Sequence, residues 1–169
     1  MDENYQIFSH RDKEPENSVL YVVGTPIGNL NDISIRAKNI LMNVSIIACE
    51  DTRNTGNLLK NLNISNKLIS FHKHNSYQRL DYLISKLTEG GSIALVSDAG
   101  MPSISDPGEI LIKEARKANL DIICIPGPCA AINALVSSGL DSSKFTFYGF
   151  IPKSTNERKI VLKAISESE

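Results

Sequence analysis

Four short runs of apolar, mostly β-branched residues constrain the fold of this 169-residue chain more than any other feature. They hardly alternate between polar and apolar residues, which is typical of strands buried on both faces of a parallel sheet. Segments in which apolar residues recur at helical spacing separate them. The four predicted strands are residues 19–23, 44–48, 93–96 and 122–125.

The segments between these strands carry helix signals. The apolar residues after Asn31-Asp32 repeat at three and four residues, which predicts a helix capped by that pair. The same spacing over 77–87, ended by Gly90-Gly91, predicts a second helix, and a third begins after Pro107-Gly108. Alternating strands and helices with short links predict an α/β domain, a largely parallel sheet flanked by helices, over residues 18–127.

The two ends of the chain do not fit this alternation. Residues 1–17 are charged and lack the apolar stretch of a signal peptide, which predicts a mobile leader. Residues 128–169 are predicted to form a link and the beginning of an incomplete second α/β domain. Its first strand would be residues 145–150, with Phe145 and Phe147 facing a core.

Composition excludes several classes of protein. Apolar residues make up 41% and charged residues 22% of the chain, as in ordinary globular proteins. No apolar run approaches the ~18–20 residues that cross a bilayer, so we expect a cytoplasmic protein without a membrane partner. The three cysteines lack CxxC spacing, which indicates neither disulfides nor a metal site. Cys49 and Cys124 lie in apolar runs and are expected to be buried.

The formal net charge of −1 argues against a protein that coats nucleic acid. The segment 53–89 is nevertheless mainly basic. Such a local excess suits either contact with phosphates or an ordinary solvated surface. The segment holds Arg53, Lys60, Lys67, Lys73, Arg79 and Lys86 against Asp81 and Glu89.

Loops rich in Gly and Pro follow the predicted strands, at the sheet edge where α/β proteins bind ligands. Glycines let a ligand approach the backbone, and prolines fix the loop shape. None of the loops has the GxGxxG or Walker A pattern, and they are not basic, which disfavours dinucleotides and triphosphates. Uncharged loops with a few carboxylates suit an adenosine-like ligand with a positive charge, such as S-adenosylmethionine. The loops are residues 24–30, 50–53, 97–108 and 126–130.

Several strings in a fixed order resemble a known family. Together they look like the ribosomal RNA small-subunit methyltransferase I branch of the tetrapyrrole methylase superfamily, over about residues 18–160. The strings are GTPIGNLNDIS (24–34), CEDTR (49–53), SFHKHN (70–75), SDAGMPSISDPG (97–108), IPGPCA (125–130) and FYGFIPKSTNERK (147–159).

The resemblance implies two α/β domains with S-adenosylmethionine in the cleft between them, and a homodimer. It also implies 2′-O-methylation of a cytidine ribose in the decoding region of 16S ribosomal RNA, in the small ribosomal subunit. Family members usually carry Ser where Cys129 stands, and a thiol is the weaker hydrogen-bond donor. Carried over by motif, the cofactor-binding positions are Pro26, Asp98, Ala99, Gly100, Met101, Ile104, Cys129 and Ala130.

Methyl transfer of this kind depends mainly on holding the ribose oxygen and the methyl group in line, about 3 Å apart. A base that removes the hydroxyl proton adds roughly 10²–10⁴-fold. Each candidate residue could instead cap or pair within its own loop, or be an ordinary surface residue. The candidate bases are Asp98, Asp51, Glu50 and His72. The candidate RNA contacts are Arg53, His72 and Lys73.

Two other functions stay open from the sequence. The chain could methylate a tetrapyrrole or another small molecule within the same superfamily. It could also be an inactive remnant that serves as a binding or dimerisation module, since the predicted second domain is incomplete. The activity of this chain by itself is therefore left open.

Overall fold

The computed structural model describes residues 13–73, 75–104 and 108–167. The chain divides into two compact units, Met1–Ala130 and Ala131–Glu169. Most of the predicted leader lies outside the described residues. The predicted domain limits at residues 17/18 and 127/128 stay predictions.

A five-stranded sheet forms the centre of the first unit. Every pairing in it is parallel, and the strand order is β3-β2-β4-β1-β5. The register sets Leu20 opposite both Ile93 and Ile122. The prediction of a largely parallel sheet flanked by helices is confirmed. The strands are β1 (Val19–Val23), β2 (Ile46–Cys49), β3 (Leu68–Ser70), β4 (Ile93–Val96) and β5 (Asp121–Ile125).

Helices cover both faces of this sheet, because residues that alternate along each strand point to opposite sides. Tyr21 packs with Ile40 of α1 and Leu59 of α2 on one face. Leu20 packs with Leu83 of α3 and Leu111 of α4 on the other. Burying one such Leu or Ile side chain contributes about 1.5–3 kcal/mol. These helices are α1 (Ile35–Asn43), α2 (Thr52–Asn61), α3 (Ser76–Thr88) and α4 (Glu109–Lys117).

The start of α1 differs from the prediction. Asn31 and Asp32 lie in a short 3₁₀ turn, Leu30–Asp32, which precedes the helix. The N-cap is Ser34, whose extended backbone lets its Oγ accept a hydrogen bond from Ala37 N at 3.0 Å. The predicted cap at Asn31-Asp32 is therefore wrong, because the chain makes one extra turn before the helix begins.

The last strand is less buried than its apolar sequence predicts. Because β5 is an edge strand, Ile123 and Ile125 are buried while Cys124 is exposed. The expectation that Cys124 is buried is wrong for this reason. Cys49, in the inner strand β2, is buried as predicted, and burial raises the pKa of its thiol to about 11.

The second unit contains α6 (Thr155–Ser166) and most of α5 (Ala130–Ser138). None of its described residues is buried. The strand predicted at residues 145–150 is wrong: this segment pairs with no described strand, so the backbone ladder that defines a strand is missing. Phe145 and Phe147 are 56% and 52% exposed, so their predicted place in a core is also wrong. The helices within the described ranges are all too short or too polar to cross a membrane.

Candidate functional site

Five loops leave the carboxyl ends of the strands, and the parallel pairing puts all five at one edge of the sheet, called the rim below. β1 and β4 are neighbours in the sheet, but their connections lead to helices on opposite faces. The chain after β1 enters α1 and the chain after β4 enters α4. Such a divergence opens a crevice, which is where α/β proteins bind ligands.

The loops after β1 and β4 are joined across this divergence. Thr25 N donates to Gly100 O at 2.9 Å, and Gly100 N donates to Thr25 O at 3.1 Å. The buried Thr25 hydroxyl also donates to Ser97 O at 3.2 Å. These bonds fix the backbone of Ser97 to Gly100 relative to β1, so this part of the loop after β4 has its position without a ligand.

Close backbone approaches bring the loop after β5 into the same place. A Cβ added to Gly24 would lie 2.8 Å from Gly127 Cα and 2.6 Å from Met101 Sδ. Gly100 has φ +80°, and a Cβ there would lie 3.4 Å from Ile27 Cγ2 and 3.5 Å from Pro128 O. Only glycine meets these conditions without strain, so the loops after β1, β4 and β5 meet through bare backbone.

The cofactor-binding residues predicted from sequence lie on these three loops, except for Ala130, which directly follows the third loop as the first residue of α5. Within the Gly100 loop, Ala99 is exposed, Met101 is half-buried and Ile104 is exposed. Pro26 and Cys129 are half-buried, and Ala130 is exposed. The fold therefore brings the predicted cofactor-binding residues together on neighbouring loops of the rim.

Asp98 connects the loop after β4 to the start of α2. Its Oδ2 accepts from Asn54 Nδ2 at 2.7 Å, and its Oδ1 accepts from Asp51 N at 3.3 Å. Both partners are uncharged N–H groups. These two bonds orient the carboxylate at the rim, where it remains exposed.

Asp51 has a different environment, because it is both the N-cap of α2 and the ion-pair partner of Arg53. Its Oδ1 accepts from Arg53 N at 2.8 Å, and its Oδ2 lies 2.6 Å from Arg53 Nη2. The Arg53 side chain, helped by that backbone N–H, lowers the pKa of Asp51 to about 2. A carboxyl with so low a pKa is a weak proton acceptor, whereas it orients the guanidinium well.

The candidate bases and two of the candidate RNA contacts line one hollow of about 500 Å³ at the rim. Lys73 is exposed but does not line this hollow, and His74 lies outside the described residues. The lining residues are Glu50, Asp51, Thr52, Arg53, Ser70, His72 and Asp98.

A second hollow, of about 250 Å³, opens between the loop after β1 and α2. Pro26 and Asp98 both line it, together with Gly28, Leu30 and residues of α2. Asp98 therefore borders both hollows, one on the side of the predicted cofactor residues and one on the side of the predicted RNA contacts. Among the described residues, no group of three His, Cys, Asp or Glu side chains could hold a metal ion.

Sequence reasoning missed two residues of this site. Asn54 was not singled out because it reaches Asp98 across 44 positions, a contact that depends on β2 and β4 being neighbours. Thr25 was included only as part of its loop. The sequence does contain a hint, because Thr25 is a polar residue close after a fully buried strand. A hydroxyl buried at such a place needs a hydrogen-bond partner.

Comparison with known families agrees with this architecture. Residues 19–167 match the family described as tetrapyrrole (corrin/porphyrin) methylases. The chain belongs to this family. A solved uroporphyrin-III-C-methyltransferase from Thermus thermophilus has the same fold, with a TM-score of 0.56 and 20% identity over 75% of this chain and 54% of that one.

The curated relatives are more specific. The chain is 51% identical to a Vibrio cholerae protein named ribosomal RNA small subunit methyltransferase I, over 88% of this chain and 52% of the relative. It is 47% identical to the Escherichia coli O157:H7 protein of that name, over 92% of this chain and 54% of the relative. The chain thus spans about half the length of the curated relatives it matches.

Proposed function

We propose that this chain acts in the S-adenosylmethionine-dependent methylation of small-subunit ribosomal RNA, at the 2′-oxygen of a cytidine ribose in the decoding region of 16S RNA. The observation that carries the proposal is the 51% identity, over 88% of the chain, to a relative named for methylation of that RNA. The proposal includes a homodimer and a cytoplasmic location. The parallel sheet and its rim supply the matching geometry.

The rim fits a cofactor of this kind. Its loops approach one another closely at Gly24, Gly100 and Gly127, so peptide N–H and C=O groups of three loops are brought together at one place on the rim. Bound there, S-adenosylmethionine supplies a methyl group already activated by its sulfonium. The residues that would hold the cofactor are Pro26, Asp98, Ala99, Gly100, Met101, Ile104, Cys129 and Ala130.

Asp98 is the proposed proton acceptor. Its carboxylate borders both hollows, and hydrogen bonds from the uncharged N–H groups of Asn54 and Asp51 hold it in place at the rim. Asp51 is less suited, because the ion pair with Arg53 holds the pKa of its carboxyl at about 2. Glu50 lines the hollow of about 500 Å³ and not the one of about 250 Å³.

Arg53 is the proposed phosphate contact at the rim. Its side chain is 87% exposed, while Nε and Nη2 are bound to Asp51. The guanidinium is therefore oriented, and its outer edge faces solvent where a phosphate oxygen can bind. His72 lines the same hollow, and Lys73 lies next to it in sequence.

Gly100→Leu tests the cofactor site. We expect the variant to lose detectable binding of S-adenosylmethionine in calorimetry. A Cβ at Gly100 already lies 3.4 Å from Ile27 Cγ2 and 3.5 Å from Pro128 O, so the rest of a leucine side chain would displace the loops after β1 and β5. Gly90→Leu is the matched control. Gly90 also has a positive φ, +95°, but lies at the end of α3 with open space around it, so its variant should bind as the wild type does.

Wild-type affinity in Gly100→Leu would show that this loop is not the cofactor site. A folded wild-type chain without any binding would instead favour the non-catalytic binding module. Transfer of a radiolabelled methyl group to purified 30S subunits then tests the substrate. If uroporphyrinogen is labelled and 30S subunits are not, the substrate is a tetrapyrrole and the proposal of an RNA substrate is wrong.

A further inference from the structure

A second cluster of cations lies away from the rim, around Tyr82 on α3. The Nζ atoms of Lys67 and Lys86 lie 6.0 Å and 5.9 Å from the centre of the Tyr82 ring. Lys67 Nζ also lies 3.4 Å from the Tyr82 hydroxyl oxygen. Lys67 directly precedes β3, so the cluster is at the amino end of that strand, opposite to the rim.

The backbone that presents Lys67 is firmly anchored. Asn66 Nδ2 donates to Leu41 O at 2.8 Å and to Val44 O at 2.9 Å, and Asn66 Oδ1 accepts from Lys67 N at 2.6 Å. Lys67 O accepts from Ile47 N at 2.9 Å. The side chain of Lys67 therefore extends from a fixed point, which lowers the entropy lost when a ligand binds it.

The charges of this cluster are incompletely balanced. Lys67 has no carboxylate partner within the described ranges. Lys86 forms an ion pair with Glu89, which raises the pKa of the lysine, but both side chains are well exposed. Exposed pairs of this kind are weak, so Lys86 can exchange its carboxylate for another anion.

The chemistry of the cluster suits a phosphate. Two ammonium groups supply several donors, and the Tyr82 hydroxyl, which accepts from Lys67, retains its own proton to donate. Arg79 lies three residues before Tyr82, hence on the same side of α3, and extends the positive surface. A chain of phosphates could contact these groups in succession.

We propose that Lys67, Tyr82 and Lys86 form a second RNA-binding surface, at the β3 edge, which binds the phosphate backbone of the substrate RNA at a distance from the rim. The proposal rests on the proposed function in one respect, namely that the substrate is RNA. The competing role is structural: a lysine beside an exposed edge strand prevents that strand from pairing with another molecule.

The test is the binding of a fluorescent RNA hairpin of decoding-region sequence to the full chain, measured by anisotropy over a range of salt concentrations. Lys67→Ala should weaken binding about three- to tenfold and lower the slope of log affinity against log salt by about one. Glu89→Gln should strengthen binding about two- to fivefold, because it frees Lys86. A loss of protein stability would weaken RNA binding in both variants, so weaker binding by Lys67→Ala together with stronger binding by Glu89→Gln would point to the charges themselves.

Matched controls come from α4, where Lys113 pairs with Glu109 as Lys86 pairs with Glu89. Lys113→Ala and Glu109→Gln should leave RNA affinity within about twofold of wild type. Equal effects of Lys67→Ala and Lys113→Ala would overturn the proposal. Unchanged RNA affinity in Lys67→Ala would also overturn it. If that variant self-associates as well, the role of Lys67 is to keep the edge strand from pairing. Either result would leave the cofactor site untouched, since that site is measured with S-adenosylmethionine.

Discussion

The two units of the chain use their apolar residues differently. In Met1–Ala130, alternate residues of each inner strand are covered by α1 and α2 on one face and by α3 and α4 on the other. In Ala131–Glu169, none of the described side chains is buried, and the four aromatic side chains between α5 and α6 are at least half exposed. The two units contain similar fractions of apolar residues, but only the first unit packs them into a core.

The difference shows what an apolar sequence needs in order to form a core. The first unit supplies two layers of helices for a sheet with two apolar faces, so each face is covered within the unit. The described residues of the second unit form α6 and most of α5, and none of them lies in a strand. Large exposed apolar groups mark surfaces that contact other molecules, and we expect the second unit to contribute little stability of its own.

The largest effect should come from core truncation. Leu83→Ala in α3 removes a fully buried side chain and should lower the free energy of unfolding by about 2–5 kcal/mol. Leu162→Ala in α6 removes a side chain that is 49% exposed and should change it by less than about 0.5 kcal/mol. Urea unfolding followed by circular dichroism measures both, and equal losses would show that the second unit has a core after all.

Helix caps should give a smaller contrast. Ser34→Ala removes the Oγ that accepts from Ala37 N at the start of α1 and should cost about 1 kcal/mol. Ser154 occupies the N-cap of α6 without a side-chain bond to that helix, so Ser154→Ala should cost at most a few tenths of that. The same urea experiment measures both variants. A loss of unfolding free energy as large in Ser154→Ala as in Ser34→Ala would mean that the Ser154 side chain does form a capping hydrogen bond in solution.

The smallest effect concerns two aspartates whose pKa values are both lowered, by different causes. At Asp51 the main cause is the charged Arg53, and at Asp141 it is the N–H and hydroxyl of Ser143. A lowered folded pKa gives stability that is present above the unfolded value of about 3.9 and lost as pH falls through the folded value, about 2 for Asp51.

Raising the salt concentration to about 1 M shortens the screening length to about 3 Å and should raise the pKa of Asp51, but hardly that of Asp141. Carboxyl carbon shifts measured by NMR through the acid range report each group separately. Equal shifts at both residues would show that charge plays no special part at Asp51.

Much of the first unit was predictable, because burial on both faces leaves a clear pattern. β1 and β4 have the predicted limits, since all their residues are buried and the pattern stops where burial stops. β2 lies two residues later than predicted at its start, because Val44 and Ser45 are apolar or small but belong to the turn after α1. Val44 is buried without being part of a strand, so the apolar run correctly indicates burial but begins before the strand does.

The missed elements have weak local signals. β3 has only three residues, and α2 contains Gly56 and few apolar side chains, so tertiary contacts decide both. Residues 145–150 present the opposite case: their alternation favours a strand, but a strand exists only with a partner. The contact of Asn54 with Asp98 was likewise beyond local patterns, since it depends on strand order.

The close approach of Gly24 and Gly127 has a consequence for protein engineering. A Cβ on either residue would come within 2.8 Å of the other's Cα, so neither loop tolerates a larger residue at its point of contact. A segment from a homologue can therefore replace one of these loops only if it also carries glycine at the point of contact. Engineering of either loop must therefore keep this pair of glycines unchanged.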